Sequence, residues 1–597
     1  NRVWSTRENV GCWNTAQSNI YDPLAGADQD DRTSIKVDFN YTLGDHDIRI
    51  GYNKEEYISS TIGRSYTGGV YYRYFESHED SSTRINGVEM PVGTKAVRVI
   101  ESTTQSAAFK TENTAMYIED NWQATDNLMI YGGLRNETFT NYSANGKVFV
   151  EADSLIAPRL GFSWDVNGDS ESKLYGTLGR YYIPIAANTN IRATRIEDSS
   201  QYYYHVDSFN PTTGEPIFNG VEGAFGERIG GGYTDHQDPD PRVIAVSDLE
   251  PMHQDELIIG YQRQLTDNWT GGAKLMYRKI QDGMDDFCGH DGFYNWAVDN
   301  NIPVANEANG WETPEGGFDL ASMSGCLMVN PGNDLNLFAD LNGNGEVEAI
   351  SVSNDYIGLP SYDRTYKGLE LTLERAFTDG WYANISYVLS KSSGNMEGYV
   401  NSTLGQEDAG ATQDFDHKVF QDGSTGDLPN DRRHQFKAYG AYKLTDELTL
   451  TANFGLRSGI PLSCNGYAPT TGMLHGDGSS TYDEGNFGRY SSSTFYCATG
   501  TVDANGDPVS ELTTRGDEGR SSWTYDFDAG VQYVPNFADG NLTMKLDVFN
   551  LFNLGKANEF DEVKDFARND EQISKNFLQP TSYQTPRSMR LTLRYAF

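Results

Sequence analysis

Along most of this chain apolar and polar residues alternate one by one, in runs separated by short turns rich in Asp, Asn and Gly. In 447–457, Leu448, Leu450, Ala452, Phe454 and Leu456 fall on one side, and Glu447, Thr449, Thr451, Asn453 and Arg457 on the other. In 523–533, Trp523, Tyr525, Phe527, Ala529, Val531 and Tyr533 oppose Thr524, Asp526, Asp528 and Gln532. The chain ends on the same alternation, with Met589, Leu591, Leu593, Tyr595 and Phe597 opposite Ser588, Arg590, Thr592, Arg594 and Ala596. A period of two is that of a β-strand, whose successive side chains point to opposite faces.

The runs come in pairs. Residues 33–43 and 46–57 join at Gly44 and Asp45, 114–123 and 128–139 through ATDN, and 156–165 and 173–182 through VNGDSES. The pattern returns at 255–264 with 269–279, 367–376 with 381–390, 434–443 with 448–457, and 523–534 with 541–550. Such turns are hairpin chemistry. Seven hairpins and the last strand predict 15 strands. Long polar stretches follow the hairpins, notably 182–254, 281–363 and 459–521. Loops of that length are normally functional or disordered.

Composition narrows the class. Apolar residues make up 37% of the 597 and mean hydropathy is −0.59, while aromatics reach 12% with 37 Tyr and Gly numbers 61. No run of roughly 18 apolar residues occurs, so a transmembrane helix is excluded, and the opening NRVWSTRENV has no signal-peptide pattern. Low hydropathy with many aromatics and glycines suits either a transmembrane barrel or a soluble sandwich. The faces decide between them. A sandwich core would bury charges such as Asp526 and Asp528 unpaired, at high cost, whereas a barrel gives one face lipid and the other a wet lumen. Trp269 and Trp381, directly after turns, fit an interfacial girdle. Short turns on one side and long loops on the other predict an all-β, transmembrane antiparallel β-barrel with periplasmic turns and extracellular loops.

A formal charge of −39 argues against a nucleic-acid partner. The five cysteines, Cys12, Cys288, Cys326, Cys464 and Cys497, show no CxxC spacing and sit in loop-like sequence, as expected for disulfides in an oxidising compartment.

Several segments, in this order, resemble the TonB-dependent outer-membrane receptors, and among them the Oar-like group. They are YIEDNWQATDNLMIYGGLR (117–135), APRLGFSWD (157–165), LYGTLGRYY (174–182), YKGLELTLERAFTDGWYANISYVLSKSSGN (366–395), LPNDRRHQFKAYGAY (428–442), LDVFNLFN (546–553) and YQTPRSMRLTLRYAF (583–597). The resemblance implies a Gram-negative outer-membrane location, a lipid and lipopolysaccharide surround, and active uptake of a substrate through a plug pulled by TonB. It also implies that Tyr595 and Phe597 carry the signal read by the barrel-assembly machinery. Receptors of this kind have about 22 strands and a plug ahead of the barrel. Here 15 strands and no plug are visible, so 33–597 is expected to be the C-terminal part of a barrel and 1–32 a segment of an extracellular loop. The plug, the TonB-binding segment and the partner of Cys12 would belong to a missing N-terminal part of the same receptor. Cys288 with Cys326, and Cys464 with Cys497, are expected to pair, each within one loop.

Local chemistry is sparse. Asp340, Asn342, Asn344, Glu346 and Glu348 place oxygen ligands at alternate positions around Gly345, like the first half of an EF-hand loop, with Ser351 where a bidentate Glu would stand. The segment is a candidate calcium loop, with a bare turn as the alternative. DHQDPDP (235–241) is a second acidic cluster. Asp431, Arg432, Arg433 and His434 read as a rim salt-bridge cluster rather than a site. Trp296, Trp311, Tyr202, Tyr203 and Tyr204 either stack on a sugar or peptide or pack the loops together. No catalytic constellation stands out, and no cofactor is required. The functional expectation is the barrel portion of a transport receptor. The alternatives are an adhesive or structural surface protein and, less supported, an outer-membrane hydrolase.

Overall fold

In the computed structural model the alternation becomes one antiparallel sheet. The structure describes residues 28–597 apart from 62, 66–70, 77–82, 86–87, 92, 105, 211, 213–214, 219–220, 223–232, 236–239, 290, 305–316, 319–325, 342–345, 407–408, 468–492, 503, 505–507 and 565–572. The sheet runs through β1 (Gln29–Leu43), β2 (His46–Thr61), β3 (Ala107–Thr125), β4 (Leu128–Tyr142), β5 (Val148–Asp165), β6 (Ser172–Tyr182), β7 (His253–Thr266) and β8 (Trp269–Gln281). It continues through β9 (Arg364–Thr378), β10 (Trp381–Gly394), β11 (His434–Lys443), β12 (Leu448–Arg457), β13 (Thr524–Tyr533), β14 (Leu542–Phe549) and β15 (Ser588–Tyr595). Each strand pairs with its sequence neighbour, and only the short Gly426–Asp427 joins from the side, against β10. These are the 15 strands of the hairpin reading, one for one. β1 starts at Gln29, earlier than residue 33.

Register keeps the faces apart. At the end of the sheet Leu542 lies opposite Tyr595, Met544 opposite Leu593 and Leu546 opposite Leu591, while Asp547 opposes Arg590. A slip of one residue would exchange the two faces, so the pattern itself pins the register. The β9–β10 turn shows why the linkers are Asp-Gly. Asp379 and Gly380 have φ of 54° and 81°, both positive as a two-residue turn of the right twist requires.

The sheet is open. Among the described residues β1 and β15 pair with nothing on their outer edges, and all their side chains are exposed. The large apolar core lies elsewhere, in the long loops. Met284, Phe293, Leu327, Leu335, Leu337, Met396 and Phe415 are almost fully buried in one cluster fed by the loops 183–252, 282–363 and 395–433. A second unit is a five-stranded sheet built from Arg64–Ser65, Tyr71–Glu76, Lys95–Thr104, Glu197–His205 and Tyr233–Asp235, around buried Val97, Val99 and Phe218.

Candidate functional site

Two surfaces can do chemistry here, the polar face of the sheet and the loop cap above it. Their charges arise from opposite solutions to the same problem. On the polar face they stay half-exposed and paired across strands. Arg49 holds Asp38 at 2.8 Å and reaches Glu119 at 3.3 Å, and Tyr131 donates to the same Glu119 at 3.0 Å. Further round, Lys274 lies 2.5 Å from Glu370, Arg278 bonds Glu256, and Arg590 and Lys545 share Asp547 at 3.0 Å each. Opposite charges facing one another stabilise a sheet pair, and like charges do not. Glycines on this face make room for tyrosines. A Cβ at Gly51 would collide with the ring of Tyr117, and one at Gly260 with that of Tyr175, each the directly opposed residue of the next strand. Tyr117 uses that position to donate to Asp38. Toward β15 the wall forms a groove of about 420 Å³, lined by Tyr382, Tyr439, Asn453, Asp528, Asp547 and Arg590.

The opposite face is apolar and its ends are aromatic. At the turn end Trp269 and Trp381 meet edge to face, with ring centroids 5.8 Å apart. The Arg375 guanidinium lies 3.9 Å from the Trp381 ring and donates to the carbonyls of Thr378 and Trp381 at 2.6 Å. At the loop end His434 stacks on Trp523 and accepts or donates a 2.8 Å hydrogen bond with the Tyr387 hydroxyl. Tyr and Trp at two levels of an apolar band mark the two water interfaces of a membrane.

In the cap, by contrast, carboxylates are buried. Asp285 is fully enclosed and accepts from the Thr412 amide at 2.8 Å and the Thr412 hydroxyl at 2.7 Å. Burial, and then the neighbouring Asp286, push its pKa well above the usual carboxylate range. Asp414 accepts from Asn401 at 3.0 Å, and among the described residues its second oxygen has no hydrogen-bond partner. Burial raises it to about 6, against the opposing pull of Arg515. Glu562 accepts from the Ser463 amide at 3.0 Å, and burial raises it to about 7. Arg515 sits among them, itself buried, with Nε on the Ser424 carbonyl at 2.6 Å and Nη2 on that of Asn395 at 3.1 Å. Four successive loops, 282–363, 395–433, 458–523 and 550–587, thus meet at one charged centre. The loop composition carries no trace of it.

The residues singled out in sequence fall as follows. Cys288–Cys326 and Cys464–Cys497 are disulfides, each inside one loop, while Cys12 lies outside the described residues. Replacing Cys288 and Cys326 together with serine is expected to weaken the cap by up to about 4 kcal/mol, from the loop entropy released. Faster proteolysis within 282–363 would register it, and unchanged protease resistance would count against it. Asp340 and Glu346 lie between the paired strands Leu335–Ala339 and Glu348–Val352, with Glu348 opposite Ala339. Asn342, Asn344, Trp311 and residues 236–239 lie outside the described residues. Trp296 packs on the cap core, and Tyr204 meets Phe218 edge to face, so both contribute to loop packing. Tyr202 and Tyr203 are half-buried on the same small sheet. Asp431 is a rim salt-bridge partner, holding Arg433 at 3.2 Å together with Arg520, while Arg432 bonds the Ser458 carbonyl instead. Tyr595 and Phe597 are exposed on the apolar side of β15.

Residues 7–277 match the family model described as "Outer membrane beta barrel domain". The matching model, the continuous sheet and the two aromatic levels decide the class. The chain is an outer-membrane β-barrel. Its similarity to the TonB-dependent transporter Oar of Myxococcus xanthus extends over 93% of this chain at 24% identity. The barrel chain spans about half of that relative, 49% of its length. Among solved structures it is similar to the outer-membrane transporter YddB of Escherichia coli, at a TM-score of 0.44 and 11% identity over 96% of this chain and 63% of that one. The siderophore receptor PirA of Acinetobacter baumannii gives 0.39 and 11% over 95% and 62%. The long loops of the barrel face the cell exterior and its short turns the periplasm.

Proposed function

We propose that this chain is the barrel portion of a TonB-dependent receptor that takes up a substrate through the outer membrane. The observation that carries the reading is the open, ion-paired sheet under a folded cap, in a chain similar along 93% of its length to a TonB-dependent transporter. The cap and the polar wall form the entry side. The rest of the protein supplies the remaining strands, the plug and the TonB-binding segment. Similarity to a transporter supports transport rather than catalysis as the role. The test uses the full-length protein in cells. Small molecules that copurify with it should accumulate in wild-type cells and fail to accumulate when TonB is deleted. If uptake of every copurifying compound survives loss of TonB while loss of the receptor abolishes cell-to-cell adhesion, the adhesive reading takes its place.

Assembly follows the same reading. Tyr595 and Phe597 stand at the membrane level of the last strand, where the barrel-assembly machinery would read them. Phe597→Ser is expected to lower the amount of receptor in the outer membrane several-fold, seen by immunoblot of membrane fractions. A wild-type level would remove these residues from that role.

A further inference from the structure

Two neighbouring cross-strand rows build the groove on the polar face of the sheet. In one, Tyr439 of β11 lies opposite Asn453 of β12, which lies opposite Asp528 of β13. The next row runs from Tyr382 of β10 through Ala441, Thr451 and Gly530 to Asp547 of β14 and Arg590 of β15. Its small middle members leave a trough of about 420 Å³, the size of a small-ligand pocket. Tyr382 and Tyr439 form one bank, with ring centroids 6.0 Å apart, and Asp547 and Arg590 the other. Gly530 lets the Asp547 carboxylate lie across the floor, since a Cβ there would come within 2.8 Å of its Oδ1.

The charges of the groove are already spent on one another. Asp547 is shared by Lys545 and Arg590, at 3.0 Å each. Asp528 accepts from Asn453 Nδ2 at 3.1 Å and from the Asn550 amide at 2.9 Å. The lining holds two carboxylates and two cations, so it is electrically balanced. An ionic ligand would have to break a satisfied pair and strand one of its members. The formal charge of −39 on the chain also repels an anion on approach. What the groove does present is amphipathic: two phenol rings, each an apolar face with a polar tip, beside a carboxamide and carboxylate oxygens that can accept further hydrogen bonds.

We propose that this groove is a subsite for a neutral, hydroxyl-rich ligand, the sugar rings of an uncharged oligosaccharide passing along the lumenal wall. The apolar face of a sugar ring lies on Tyr439 and Tyr382. Hydroxyls at the ring edge donate to Asn453, Asp528 and Asp547, which accept them without any change in the charge of the groove. Hydrogen bonds to ionised acceptors are the stronger kind, so the paired carboxylates orient the ring without attracting ions. The proposal rests on the transport reading and names its substrate class.

The experiment applies the full-length receptor in mild detergent to an array of neutral and acidic oligosaccharides. The wild type is compared with Tyr439→Ala, Asn453→Ala and, as control, Thr177→Ala on the polar face of β6 away from the groove. Neutral oligosaccharides are expected to bind in preference to acidic ones. The Kd for the best of them should rise about ten-fold in Tyr439→Ala and about three- to ten-fold in Asn453→Ala, with Thr177→Ala at the wild-type value. Heat-modifiable migration of every variant verifies that the barrel has folded. Binding of no neutral oligosaccharide, a preference for acidic ones, or an unchanged Kd in Tyr439→Ala would overturn the proposal. Uptake separates it from the reading on which it rests. If other compounds still enter cells only with TonB while the array stays silent, the subsite alone fails. If the bound oligosaccharide enters without TonB, the transport reading fails and the subsite stands.

Discussion

Arg515→Ala is expected to unlatch the loop cap and leave the sheet intact. The arginine satisfies two buried carbonyls, those of Ser424 and Asn395, and is the cation nearest the buried Asp414, 3.8 Å from its Oδ1. It also lies over the Phe495 ring at 5.0 Å. Removing one partner of a buried ion pair costs about 3–5 kcal/mol, because the other charge remains behind. Amide hydrogen exchange in 395–433 should therefore speed up by about a hundred- to several-thousand-fold, while amides of β7 to β10 keep their protection. The double variant Arg515→Ala with Asp414→Asn should recover part of the loss, since the stranded charge has gone. Exchange in the single variant within a few-fold of wild type would show that Arg515 does not hold the loops together.

The same centre makes the cap sensitive to pH, with a definite sign. Asp414 is raised from the ordinary carboxylate value to about 6 by burial, with Arg515, Glu397, Asn401 and Thr412 around it. A group whose folded pKa is raised contributes stability that is fully present below its unfolded value. That contribution is lost as pH climbs through the folded value. Between about pH 4 and 6 the cap should thus lose on the order of 3 kcal/mol from Asp414. Glu562, raised to about 7, extends the loss in the same direction. Cap amides should exchange faster at pH 8 than at pH 5 after correction for intrinsic rates, and Asp414→Asn should flatten that difference.

The strands were legible and the cap was not, for one physical reason. Lipid on one side and water on the other impose a two-residue period on each strand, so 448–457 and 588–595 can be read without knowing what they pair with. Where a strand rises above the membrane, neither face is lipid and the alternation fades. β3 accordingly runs to Ala107, beyond the alternating 114–123. In the cap the strands are short, as in Leu335–Ala339 and in Leu327–Val329, whose three residues are all buried. Their partners lie far along the chain, with Asp285 meeting Thr412 at a separation of 127 residues. No local pattern announces such a contact. Asp431 and Arg433 were readable as a rim cluster because they adjoin in sequence, but Arg520, which completes it, sits 89 residues away. The cysteines were an exception, since each pair closes within a single loop.

On the proposed receptor reading, residues 1–597 produced alone are expected to fail to form a barrel. Both edges of the sheet are lipid-spanning strands, and an open edge in hydrocarbon leaves backbone N–H and C=O groups unpaired at several kcal/mol each. β1 presents Ile35, Val37 and Phe39, and β15 presents Met589, Leu591 and Leu593, as regular apolar faces. Strands patterned in this way belong to the interior of a sheet. On the receptor reading proposed above, about 22 strands surround a plug. Some seven strands would then separate β15 from β1. The isolated chain should stay protease-sensitive and show no heat-modifiable form, whereas co-production with the remainder of the receptor should restore both properties. The pairing itself can be read with cysteines placed at Val37 and Leu591. If those crosslink in the isolated chain, and that chain migrates as a folded barrel, β1 and β15 close on each other and the missing strands are not needed.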